Sequence, residues 1–278
     1  MTAAELFPTV PEWLLWAGSL AVVGFVAVAT RIVRLYRCGL PVIPQAPIRP
    51  VPWNGGDVAF VLIAYVTVAT VAAASLGKTP TLPALLGANV VINTVVTLIV
   101  IGWLSLRGAS LTDLGLAPIE PRRDLRLAIA GWAFVLAPLL ALAAALNAVV
   151  AYDHPVVSLL GEQRSFQAVA IVIMAAVVAA PIAEELFFRR ILLGWLDKRL
   201  PSRTGVVAIL ASATAFALAH QGQGLAYVPL LPLGIVLGFI ARRTGSLVPC
   251  ILLHAFFNAV SVGLLLADPS SAATLPEG

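Results

Sequence analysis

Apolar residues along the chain gather into eight runs, at approximately 11–30, 57–76, 84–105, 127–150, 167–188, 205–220, 227–241 and 246–267. Short polar stretches rich in Pro, Gly and Arg separate them. Most runs approach the roughly 20 residues needed to cross a hydrocarbon core about 30 Å thick, and none alternates apolar and polar positions as a barrel strand would. Unpaired amides in hydrocarbon are costly, so each run is expected to satisfy its backbone as a helix. The pattern predicts an all-α integral membrane protein, a bundle of about eight transmembrane helices. The connections are too short for a second soluble domain. The chain therefore divides into N-terminal helices with basic loops (1–126), a core carrying the chemistry (127–268) and a short tail (269–278).

Composition agrees with that reading and excludes a soluble domain. Of the 278 residues, 60% are hydrophobic and only 11% charged, and the mean hydropathy is +1.00. A soluble fold of this size could not bury so much apolar surface. The first run has no basic residue before it and no evident small-residue cleavage site after it, so a retained span is expected. Cys38 and Cys250, one in a basic loop and one inside an apolar run, suggest neither a disulfide framework nor a cysteine metal site.

The net charge of +4 matters through its placement. Arg31, Arg34, Arg37 and Arg49 follow the first run, and Arg107, Arg122, Arg123 and Arg126 lie between the third and fourth. Arg189, Arg190, Lys198, Arg199 and Arg203 follow the fifth, and Arg242 and Arg243 the seventh. Only Lys78 and Arg164 of the 17 basic residues fall on the other side. The positive-inside rule then puts both termini on the outer side. The basic loops are expected to meet anionic lipid headgroups and not nucleic acid.

Candidate chemistry concentrates in the second half. The first four runs hold only isolated polar residues such as Asn89, Asn93 and Asn147, expected to make interhelical hydrogen bonds. By contrast, Glu184 and Glu185 stand within Ala180-Pro-Ile-Ala-Glu-Glu-Leu-Phe-Phe-Arg-Arg190, where an ionised group at depth must be compensated. Glu185 and Arg189, spaced i,i+4, share a helix face and can pair. Glu184 points about 100° away and is free to act as a base toward water. The bland alternative is a solvated helix end. Two of the chain's three histidines, His220 in Phe216-x-x-x-His220 and His254 in His254-x-x-x-Asn258, also lie in apolar runs. His254 and Asn258 share a face, which would let the amide donate to a polarised oxygen. Phe216 reads first as a packing residue.

With no serine nucleophile elbow, no His-Glu-x-x-His pair and no phosphate loop, the inventory is glutamate, histidine and amide, and activated water is the expected nucleophile. Two routes stay open. In one, His220 and His254 are nitrogen ligands of a divalent metal such as zinc, with a glutamate as third ligand or base. In the other, Glu184 is the base and the histidines are metal-free donors to the oxyanion.

The ordered set Glu184-Glu185-x-x-x-Arg189, Phe216-x-x-x-His220 and His254-x-x-x-Asn258 resembles the CPBP family of CAAX prenyl endopeptidases and bacteriocin-processing (Abi) proteins, over about Val156 to Leu266. The resemblance implies an intramembrane endopeptidase with Glu184 as the water-activating base. It also implies catalytic or metal roles for His220 and His254, an oxyanion role for Asn258, and support from Glu185 and Arg189. The implied substrate is a peptide or a prenylated, membrane-anchored protein, and the implied setting a bacterial plasma membrane. Rival readings are a proton-coupled transporter, which would spread polar residues through both halves, and a non-catalytic immunity-type membrane protein. A simple hairpin would leave Glu184 and His220 near opposite membrane faces. The protease reading therefore expects the fifth run to continue toward Leu196 and the sixth to tilt or break at Gly222 and Gly224. It also requires the Glu184 carboxylate within about 10 Å of both imidazoles.

Overall fold

The computed structural model describes residues 12–46, 51–117, 120–148, 165–200, 202–222 and 224–267. The tail at 269–278, the stretch 156–164, and Arg49 and Arg164 of the charge pattern lie outside the described residues. Among the described residues all regular structure is helical: α1 (Glu12–Arg37), α2 (Gly55–Ser75), α3 (Leu82–Leu106), α4 (Pro121–Asn147), α5 (Phe166–Arg199), α6 (Val206–Leu218), α7 (Tyr227–Thr244) and α8 (Val248–Ala267). Seven of these are long and apolar enough to cross a membrane, and α6, at 13 residues, is shorter.

Local chemistry sets the helix ends. Asn54 caps α2 by accepting from the Gly56 N–H at 2.7 Å, and Asp57 returns the bond by accepting from the Asn54 N–H at 2.9 Å, a capping box that satisfies the first-turn donors. Asp57 is buried, so its charge needs further partners. Trp103 Nε1–H donates to it at 3.0 Å and Arg107 lies 3.4 Å away, which ties the start of α2 to the end of α3. Ser165 caps α5 by accepting from the Ala168 N–H. Pro83 and Pro121 sit in first turns, where no N–H is missed.

The helix α5 is the axis of the bundle and departs from α geometry twice, with π segments at Ile173–Ala179 and Glu185–Leu192. Such wide turns shift each N–H onto the carbonyl five residues back and leave some carbonyls to outside donors. Ser212 Oγ of α6 donates to the Phe188 carbonyl at 2.7 Å, Trp53 Nε1–H to that of Ile191 at 3.1 Å, and Asn258 Nδ2 of α8 to that of Ala176 at 2.7 Å. The last has a traceable cause. The Ala180 N–H bonds back to Ala175, so in the same register the partner of Ala176 would be residue 181, a proline without an N–H.

Around this axis α4 packs on α8 and α6 on α7, while α1 rests on α4 with no buried residue of its own. The α4–α8 approach depends on Gly131, where a Cβ would lie 2.4 Å from Leu253 Cδ1. The left-handed Gly205 (φ +65°), at the start of α6, leaves room for the Arg242 side chain, which pairs with Asp197 at 3.0 Å.

Candidate active site

The run through Glu184 continues without a break to Arg199, as the depth argument requires, so Glu184 lies well inside α5 and not at its end. The next helix stops at Leu218, and a turn carries His220 beyond it. A long α5 beside a short α6 removes the hairpin conflict. His220 Nε2 lies 3.7 Å from Glu184 Oε1, and His254 Nε2 lies 3.8 Å from Glu184 Oε2. Five of the six residues singled out from sequence form one cluster, drawn from α5, the turn after α6 and α8.

The two glutamates face different partners. Glu185 is fully buried; its Oε1 accepts from His254 Nδ1–H at 2.8 Å, and its Oε2 lies 3.2 Å from Arg189 Nε. That ion pair is off the axis of a hydrogen bond, and the guanidinium is also stacked 3.9 Å above the Phe216 ring. Phe216, itself 0% exposed, meets the His220 and His254 rings edge-on at 5.0 and 5.7 Å. It is thus the apolar floor on which both imidazoles and the arginine rest. Glu184 is the more open carboxylate, with 22% of its side chain exposed, and His220 has 17% exposed.

Both imidazoles are oriented through Nδ1. His220 Nδ1–H donates to the Phe216 carbonyl at 2.9 Å, and His254 Nδ1–H to Glu185. A carbonyl oxygen, and a carboxylate paired with Arg189, can only accept, so each Nδ1 carries the proton. The two Nε2 atoms are left to face Glu184. Asn258 is on the same helix face as His254, but its amide donates to the Ala176 carbonyl.

The three donors that converge are spaced somewhat more widely than the ligands of an ideal tetrahedral zinc site. Zinc ligands at about 2.0–2.1 Å sit roughly 3.4 Å apart in a tetrahedron, and the imidazole-to-carboxylate separations here are wider and run to different oxygens. No group of three His, Cys, Asp or Glu side chains among the described residues is arranged to hold a metal ion.

Glu184 and His220 open into a cavity of about 340 Å³ whose opposite wall comes from α2 and α3: Tyr65, Asn89, Asn93 and Thr97, with Val61, Val96 and Val100. Chemistry was expected in the second half of the chain alone, and the first half supplies this polar wall. Asn93 and Asn89 were expected to bond between helices. Instead Asn93 Nδ2 donates to Asn89 Oδ1 within α3, at 2.9 Å. The i,i+4,i+8 spacing of Asn89, Asn93 and Thr97 is the signal in the sequence that marks them as one face.

Residues 166–260 match the family model described as Type II CAAX prenyl endopeptidase Rce1-like. That interval holds all seven motif residues and is narrower than the stretch over which the motifs resemble the family. No curated protein and no solved structure matches the chain.

Proposed function

Residues 166–260 are Rce1-like, of the CPBP family of CAAX-type intramembrane proteases, and from that premise we propose that this multi-pass membrane protein hydrolyses a peptide bond of a membrane-anchored or lipidated substrate by metal-free glutamate catalysis. The observation that carries the mechanism is the placing of both Nε2 atoms within 3.8 Å of the two oxygens of Glu184.

In the proposed reaction Glu184 takes a proton from water as the oxygen attacks the scissile carbonyl carbon. Protonated on Nε2 as well as on Nδ1, His254 and His220 donate to the oxygen on which negative charge develops. The intermediate collapses when Glu184 returns its proton to the departing amine nitrogen, so atoms and charge balance. Glu185 orients His254 through its 2.8 Å bond and is itself paired with Arg189. The buried Phe216 floor keeps bulk water from that side, which strengthens each of these interactions. Asn258 acts in this reading through the backbone of α5.

Cleavage of a quenched fluorescent peptide bearing a farnesylated cysteine, by purified protein in liposomes, tests the proposal. Glu184→Gln is expected to lower kcat by about 10²–10⁴-fold, the range of a positioned general base, with the fold unchanged by circular dichroism. Treatment with 1,10-phenanthroline is expected to leave the rate unchanged. Undiminished cleavage by the variant would remove Glu184 from the mechanism, and loss of activity with the chelator would replace the metal-free route.

A further inference from the structure

The wall facing Glu184 is unusual for a membrane helix. Asn89, Asn93 and Thr97 stand at i, i+4 and i+8 on α3 and all line the cavity shared with Glu184 and His220. Polar groups in a span are expensive unless partnered or facing a polar cavity, and these partner little of the protein. The Asn93-to-Asn89 bond uses one donor and one acceptor, leaving the Asn89 amide N–H groups and Asn93 Oδ1 without further hydrogen bonds among the described residues. Thr97 differs from Thr70 and Thr244, whose hydroxyls bond back to carbonyls one turn earlier at 2.7 and 2.8 Å; its own hydroxyl makes no such bond. Helix spacing thus presents a column of spare donors and acceptors to a cavity holding the catalytic carboxylate.

The spacing of that column fits one class of ligand. Positions four apart on an α-helix are separated by about 6 Å along its axis. In an extended peptide, the residues whose N–H and C=O point to the same edge recur about every 6.7 Å. Over the two steps from Asn89 to Thr97 the mismatch is about 1.4 Å, within the reach of side-chain rotamers.

We infer that α3 is a backbone-reading ladder: Asn89, Asn93 and Thr97 bind the main chain of an extended peptide substrate and hold its scissile carbonyl opposite Glu184. Side-chain amides and hydroxyls bonded to peptide groups are indifferent to substrate sequence. The ladder therefore selects unfolded, extended chain, and excludes helical segments whose peptide groups are already paired. A transmembrane substrate would have to unwind locally to be cut. The inference rests on the protease reading and extends it to a part of the chain outside residues 166–260.

The test uses the full chain in liposomes and the farnesylated fluorescent peptide, with a series in which single backbone N–H groups are replaced by ester oxygen. Asn93→Leu and isosteric Thr97→Val are each expected to raise KM about fivefold or more, the scale of one lost hydrogen bond, with kcat within about twofold. Thr97→Ser should restore the wild-type KM. An ester position that weakens binding to wild type should cause no further weakening in the matching ladder variant, a coupling that general loosening of α3 would not produce. Binding is read independently of turnover by anisotropy on the Glu184→Gln protein. Unchanged KM in both variants, ester penalties equal in every background, or no binding of the peptide by Glu184→Gln protein would each overturn the ladder. Persistent cleavage by Glu184→Gln would instead strike the proposed chemistry and leave the ladder to be judged on the binding data.

Discussion

Adjacent carboxylates acquire different surroundings here through what their neighbours can donate. Glu185 meets an arginine and an imidazole N–H inside a sealed layer, whereas Glu184, one position earlier, looks into the cavity. The Glu185–Arg189 and Phe216–His220 relations were legible in the sequence, because i,i+4 spacing puts side chains on one face in any helix. The partner of Asn258 was not, because it arises from a π register that leaves the Ala176 carbonyl opposite a proline. This yields a test at the residue scale. Asn258→Ala is expected to destabilise the protein by about 1–2 kcal/mol, the cost of an unsatisfied buried carbonyl. With Pro181→Ala, which restores an N–H at that position, most of the loss should vanish, as read by thermal unfolding in detergent. An equal loss in both backgrounds would show that Asn258 serves some group other than this carbonyl.

Between elements, the site depends on unequal lengths and close approaches. Helix α5 runs for 34 residues while α6 has 13, so a residue in the middle of one can meet a residue just past the end of the other. His254 follows Leu253, whose Cδ1 fills the space a Cβ on Gly131 would take, so the depth of His254 is coupled to how tightly α8 sits on α4. Gly131→Val is expected to push these helices apart at a cost of about 1–3 kcal/mol and to reduce peptide cleavage along with stability. A second change, Leu253→Ala, should recover part of both. If Gly131→Val alone melts at the wild-type temperature, the close approach does not govern the packing.

Across the whole molecule, the connections that carry most of the basic residues meet one another. Gln45 Nε2 donates to the Arg242 carbonyl and the Ala46 N–H to that of Arg243. Lys198 bonds the Val51 and Trp53 carbonyls, and Arg190 bonds the Asp113 carbonyl. One end of the bundle thus gathers the loops after α1, α3, α5 and α7, and the positive-inside rule predicts that this end faces the cytoplasm. The natural cysteines offer the check, since Cys38 is exposed in that set of loops and Cys250 is buried. A membrane-impermeant maleimide is expected to label the protein only after cells are permeabilised. Labelling in intact cells would reverse the orientation.

The helical class, the apolar runs and the identity of the charged cluster were determined by the sequence itself, because hydrocarbon demands self-satisfied backbones and isolates any ionisable group within them. Tertiary structure alone decided which helices meet and at what depth. The 3.7 and 3.8 Å distances to Glu184 depend on where α5 continues, where α6 stops and which carbonyls the π turns release. The polar wall on α3 belongs to the same category. Its spacing is plain in the sequence, but the side of the bundle it faces is set by packing among helices that are apolar nearly all round, and hydrophobic pattern cannot orient such helices.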